Sequence, residues 1–126
     1  MRQIYILELA DKKFYVGCTS SLDKEIGNHF AGDGTSWTMR FRPKHVINSF
    51  PEVSSFDEHI TTLTLMSKFG IQNVRGAEFS NIELSPAQRH TIETSIRGFR
   101  GQCVYCGSGH HIANNCFLTK LKQKAT

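Results

Sequence analysis

Apolar residues run almost unbroken through Ile4-Tyr5-Ile6-Leu7 and again through Phe14-Tyr15-Val16, with the polar ADKK between them. This pattern predicts two strands, Arg2–Leu9 and Phe14–Cys18, joined as a hairpin. Thr19 or Ser20 can cap a helix over Leu22–Phe30, where Leu22, Ile26, His29 and Phe30 share a face. AGDGTS reads as a loop, and SWTMRFRP leads into a third strand, Lys44–Phe50, closed by Pro51. Helical spacing returns over Asp57–Phe69, with Ile60, Leu63, Met66 and Phe69 inward and Gly70 placed to end the helix. NVRGAEFS reads as a turn leading into extended chain. Ser85-Pro86 opens a last helix to about Gly98, because serine suits the cap and proline the first turn.

A chain of 126 residues has room for one ordinary domain and a small appendage, and 39% hydrophobic with 21% charged residues is a globular composition. The apolar run at the N-terminus is broken by Glu8 and Asp11, too soon for a signal peptide or membrane span. The expectation is an intracellular protein of cytoplasm or nucleus, with no membrane partner. In such a reducing compartment clustered cysteines bind metal more often than they pair. The net charge of +4 is uneven: residues 1–100 carry twelve basic and eleven acidic side chains, whereas residues 101–126 carry Lys120, Lys122 and Lys124 and no acid. A basic tail attracts polyanions mildly.

Three of the four cysteines fall in CVYCGSGHHIANNC. Cys103, Cys106, His111 and Cys116 supply the four soft or borderline donors of a closed tetrahedral zinc site, and Gly107 and Gly109 relieve the turning backbone. His110 is the alternative histidine. This spacing resembles the zinc knuckle of retroviral nucleocapsids and many RNA- or single-strand-binding proteins. The resemblance implies a base-binding cleft at Val104, Tyr105 and Ile112, with Lys120 and Lys122 on the phosphates. The usual aromatic at the first of these places is Val104, and the glycine that normally precedes the histidine is His110. A knuckle of this size also serves as a fold-stabilising clip.

A second resemblance covers nearly the whole chain. IYI, YVG and the segment FYVGCTSSLDKEIGNHF look like the heart of a GIY-YIG nuclease, and GTSWTMRFRP and KFGIQNVRGAEFS are similar to segments of GIY-YIG-like proteins of large DNA viruses, where such a domain also precedes a zinc knuckle. It implies an α/β (α+β) fold, a small three-stranded antiparallel sheet flanked by helices. The domain layout is then a GIY-YIG-like body at 1–98, a CCHC zinc knuckle at 101–118 and a basic tail at 119–126. It also implies phosphodiester hydrolysis with one divalent ion, Mg2+ or Mn2+, and makes Tyr5, Tyr15 and His29 the catalytic candidates. The same tyrosines could be core aromatics, and His29 a half-buried helix histidine.

The family's phosphate-binding arginine, one helical turn before His29, is Glu25 here, and Lys24 points about 100° away around the helix. A guanidinium neutralises a scissile phosphate and a carboxylate repels it. The family's metal-binding glutamate falls on Thr62, with Asp57 and Glu58 upstream. Both changes describe a degenerate nuclease. Trp37, Arg40, Arg42 and Lys44 interleave aromatic and basic groups in WTMRFRPKH, which holds no acid, and could follow a nucleic-acid backbone. Arg75, between Asn73 and Gly76, reads as a turn residue that bonds carbonyls, and Cys18 as a small buried residue.

Three functions remain open. One is a nucleic-acid-binding protein, on DNA or RNA that is single-stranded or distorted. Another is a metal-dependent endonuclease. The last is a structural or virion component that meets protein partners, or a second copy of itself, through Ile82, Leu84 and Phe117-Leu118.

Overall fold

β1 (Gln3–Leu9) is apolar at nearly every position because it lies inside the sheet with both faces covered, and Ile4, Tyr5, Leu7 and Leu9 are fully buried. It pairs antiparallel with β2 (Lys13–Thr19) in an unbroken register from Gln3↔Thr19 to Leu9↔Lys13. The connection is a single 3-10 turn, Ala10–Lys12, in which Asp11 and Lys12 take positive φ values of 59° and 58°. On its other side β1 pairs antiparallel with β3 (Pro43–Pro51). Two register shifts there leave Lys44 and Ile47 as extra residues. Such bulges bend and twist an edge strand, and prolines at its first and last positions further blunt it against pairing with another chain.

The sheet has a fourth strand that the sequence pattern did not show. β4 (Val74–Gly76) pairs parallel with β2, through Phe14↔Val74, Tyr15↔Arg75 and Val16↔Gly76, and the strand order is β3-β1-β2-β4. The expectation of a three-stranded antiparallel sheet is therefore corrected to four strands and a mixed sheet. Gly76 is required at this junction: a Cβ there would lie 2.6 Å from the Val16 carbonyl oxygen and 2.7 Å from the Thr62 hydroxyl. The structure described is a computed structural model covering residues 1–99, and the chain divides into two compact units, Met1–Leu84 and the part from Ser85 onward.

Helices cover both faces of the sheet. α1 (Leu22–Phe30) and the short α2 (Ser36–Arg40) lie over the face carrying Tyr5, Leu7, Leu9 and Tyr15, where Trp37 completes the core. α2 falls in SWTMRFRP, which the sequence pattern showed only as leading into the third strand. Thr35 nucleates it through a reciprocal capping box with Thr38, which satisfies backbone donors that five residues could not satisfy alone. α3 (Asp57–Phe69) carries the chain from the β3 edge to the β4 edge over the opposite face, burying Thr62, Leu63 and Met66, with Phe69 stacked 4.4 Å from Phe14. Ile60, expected inward, is exposed: the buried stripe runs through Thr62, Leu63 and Met66, and Ile60 falls off it. Asp57 accepts the backbone N–H groups of Val53 and Ser54 and fixes the entry to this helix.

Arg75 holds the turn after β4. Only 4% exposed, it donates to the carbonyls of Asn81, Ile71, Val74 and Ile82 at 2.7–2.9 Å, and its guanidinium lies 4.5 Å from the Trp37 ring. In the second unit, α4 (Pro86–Phe99) begins with another reciprocal cap, Gln88 N–H to the Ser85 hydroxyl and Ser85 N–H to the Gln88 side chain, and buries Ile92 and Ile96. No helix among the described residues is long and apolar enough to cross a membrane. The zinc-ligand candidates Cys103, Cys106, His111 and Cys116, and with them Val104, Tyr105, Ile112, Lys120 and Lys122, lie outside the described residues.

Replacing Arg75 by methionine strands several carbonyls that one buried cation now serves. Urea denaturation of Arg75→Met should show a loss of about 3 kcal/mol, and an unchanged midpoint would mean the turn does not depend on it.

Candidate functional site

The two phenols meet because of strand register. Tyr5 on β1 faces Gly17 on β2, and Tyr15 sits one residue pair further along the same face, so the rings are diagonal neighbours 6.2 Å apart. Gly17 is needed here, since a Cβ at that position would penetrate the Tyr5 ring. His29, in the last turn of α1, closes the group, with its ring 5.8 Å from Tyr5 and 5.1 Å from Tyr15. Its Nε2 lies 2.7 Å from the Tyr5 hydroxyl and its Nδ1 lies 3.0 Å from the Thr38 hydroxyl. Gly34 leaves room for this second contact, because a Cβ there would collide with both His29 Nδ1 and Thr38 Oγ1.

Glu25, one turn before His29, joins the group. The Tyr5 hydroxyl lies 3.2 Å from Glu25 Oε1, which is 3.7 Å from His29 Nε2. The structure thus brings Tyr5, Tyr15 and His29 together and places the Glu25 carboxylate beside them. Glu25 is 40% exposed, whereas His29 is 2% exposed. The acid therefore forms the solvent side of the constellation.

These surroundings set the protonation states. Burial first, then the charges of Tyr15, Glu25 and Glu58 and the hydrogen bond with Glu25, push the Tyr5 phenol far above its ordinary range. Burial, then Glu58 and Glu25, push Tyr15 up to about 12, with a hydrogen bond from Tyr5 acting the other way. Both are neutral phenols near pH 7 and cannot serve there as bases. Burial lowers the pKa of His29, and Glu25 opposes that only in part, so the imidazole is neutral.

Glu58, the acid upstream of Thr62 in the sequence, acts on the tyrosines through its charge alone. Thr62, the position that the resemblance matched to a metal-binding glutamate, is fully buried and its hydroxyl donates to the Glu58 carbonyl. One turn earlier, the half-buried Glu58 acts electrostatically on both Tyr5 and Tyr15. Burial, with Glu52 and Glu78 nearby, raises its pKa against the opposing charge of Arg2. A spacing of four between Glu58 and Thr62 was the signal available, since it places them on one helix face.

The basic candidates divide. Trp37 is 2% exposed and its indole N–H donates to the Phe14 carbonyl at 2.9 Å, so its ring belongs to the core and offers no surface to a base. Arg40, Arg42 and Lys44 are exposed where α2 passes into β3 and form no ion pair among the described residues. Arg42 lines a cleft of about 300 Å3 together with His29, Phe30, Gly32, Thr38, Met39 and Pro43. Cys18 is half-buried, with its thiol 2.8 Å from a Glu52 carboxylate oxygen and pushed up to about 11, chiefly by burial.

Over 43 residues the chain is 33% identical to a UPF0213 protein of Halobacterium salinarum, a stretch that makes up 34% of this chain and 56% of that protein. The chain thus spans about half the length of that relative. No family model matches the sequence, and no solved structure matches it significantly.

A histidine held neutral by burial makes stability acid-sensitive. Its folded pKa lies below the unfolded value of 6.5, so the unfolded chain binds the extra proton first. The contribution is complete above that value and is lost as pH falls through the folded pKa. Denaturation at pH 7 and pH 5 should show a decrease that His29→Gln largely removes, and an NMR midpoint for His29 above 6.5 would contradict it.

Proposed function

We propose that the body is a GIY-YIG-like nucleic-acid-binding domain that no longer cuts by the family's route. The similarity to a UPF0213 protein, from a family that is itself GIY-YIG-like, supports the class. The observation that carries the binding reading is the contrast between Glu25 at the Tyr5–His29 pair and the exposed cations Arg40, Arg42 and Lys44, which form no ion pair among the described residues. A phosphate is repelled at the first place and held at the second. The cysteine segment complements this body as a zinc knuckle: three cysteines and a histidine are the donor set of a closed structural zinc site, and the metal would supply folding energy there. Val104, Tyr105 and Ile112 would then meet an unstacked base, and Lys120 and Lys122 its phosphates.

The hard cation that the family resemblance implies does not fit at its usual position. Thr62 is buried and its hydroxyl is spent on a carbonyl, and among the described residues no three His, Cys, Asp or Glu side chains gather into a metal cluster. One observation favours the endonuclease reading: the carboxylate of Glu58 lies within electrostatic reach of both phenols.

Anisotropy titrations of labelled single-stranded DNA and RNA at several salt concentrations test the binding reading. Affinity should fall as salt rises, and replacing Arg40, Arg42 and Lys44 together by glutamine should shrink the log–log slope by about 2, at roughly 0.7 per lost charge. Absence of binding to either polymer, or binding indifferent to salt, removes the reading. Incubation of branched and single-stranded DNA with magnesium or manganese addresses the alternative: cleavage abolished by both Glu58→Gln and His29→Ala would establish the endonuclease, and intact substrate would dismiss it.

A further inference from the structure

We propose that the hairpin end of the sheet is a track for single-stranded nucleic acid, on which Phe69 stacks a base and Lys12, Lys13, Arg40 and Lys68 hold the flanking phosphates. This surface rests on the binding reading above and extends it from Arg42 and Lys44 onto the β1–β2 turn and the end of α3. β1 ends at Leu9, paired with Lys13, and Leu9 lies about 13 Å along the strand from Tyr5 at roughly 3.3 Å per residue. The track is therefore separate from the Tyr5–His29 pair and its Glu25 carboxylate.

Three segments distant in sequence meet at this end. The Ala10 N–H donates to the Arg42 carbonyl at 2.8 Å, which brings the β1–β2 turn against the junction of α2 and β3. Phe41, at that junction, is half-buried and edge-on to Trp37, with ring centroids 4.7 Å apart. Lys13 Nζ lies 5.4 Å and the Arg40 guanidinium 5.7 Å from the centre of the Phe41 ring. Lys13 Nζ also donates to Asn73 Oδ1 at 2.6 Å, and Asn73 Nδ2 donates to the Phe69 carbonyl at 2.7 Å. Lys13 thereby links the α2–β3 junction to the end of α3. Contacts of this kind restrain long side chains and leave their charge in place.

Phe69 is anchored yet open. It stacks on the buried Phe14, with centroids 4.4 Å apart and 22° between the planes, while 38% of the residue remains exposed. A ring pinned against the core and open to water is the platform on which single-strand binders stack bases. Lys68 Nζ lies 5.4 Å from the centre of that ring, so a cation stands within reach of the phosphate next to a stacked base. The segments 10–13, 36–44 and 66–73 that build this end contain six cations and one acid, Asp11. Lys12, Lys13, Arg40 and Lys68 form no ion pair among the described residues. The charge calls for a polyanion, and the open ring for one that carries bases.

The experiment titrates full-length protein into a labelled single strand at several salt concentrations, with an abasic strand of the same length beside it. Lys12→Gln combined with Lys68→Gln, both at exposed positions, should shrink the log–log salt slope by about 1.4, at roughly 0.7 per lost charge. Phe69→Leu should weaken the base-bearing strand at least about fivefold and leave both the slope and the abasic strand unchanged. Phe69→Tyr, which keeps the ring, should bind like the parent. A slope untouched by the lysine pair, or a Phe69→Leu chain that weakens neither strand or both equally, overturns the track. The binding reading survives that outcome where replacing Arg40, Arg42 and Lys44 still lowers the slope, and a parent that binds neither strand removes both.

Discussion

The buried contact between the Tyr5 hydroxyl and His29 Nε2 holds the site together, because it ties the central strand to the helix above it at a point no water reaches. A polar pair in such a place is costly unless every remaining hydrogen-bonding group is satisfied. Tyr5 finds Glu25 as well, and His29 finds Thr38, which the α2 cap positions. Gly17 and Gly34 are the steric counterparts of this requirement, each leaving the space that one partner of the network fills. The sheet register, the α1 phase and a five-residue helix thus converge on one imidazole.

Charge gives that frame its character. In the GIY-YIG-like reading, an arginine would point at a phosphate from the place of Glu25, and the neutral phenols and imidazole would surround the reacting atoms. Here the solvent side of the group is acidic, Glu58 adds a second negative charge near Tyr15, and the cations stand apart on α2 and β3. The negative and positive groups therefore occupy separate places on the body.

Apolar runs made β1 and β2 legible and helical spacing made α1 and α3 so, and Ser85-Pro86 marked the start of α4 because cap chemistry is local. Short elements were hidden for a physical reason. β4 is three residues long and gains its strand identity from parallel pairing with β2, while α2 depends on a threonine cap inside a polar loop. Arg75 was readable as a carbonyl-binding turn residue, since a buried guanidinium between loop positions has few other uses. Trp37 was misleading: its neighbours are basic, but its ring fills the space above Leu9 and Leu7 and its N–H meets a strand carbonyl. For the site, Tyr5, Tyr15, His29 and the reversal at Glu25 could be read from motif spacing. Glu58 was readable only as an acid upstream of Thr62, because how far its charge reaches the phenols depends on how α3 lies on the sheet.

The account turns on the sign of the charge at position 25. Measured at low salt in chelator-treated buffer, the affinity of Glu25→Arg for a labelled single-stranded oligonucleotide compares directly with that of the unaltered chain. Tighter binding with a steeper salt dependence is the predicted result, because a guanidinium there adds a phosphate contact and removes a repulsion. Equal or weaker binding by a variant that melts like the parent would contradict it.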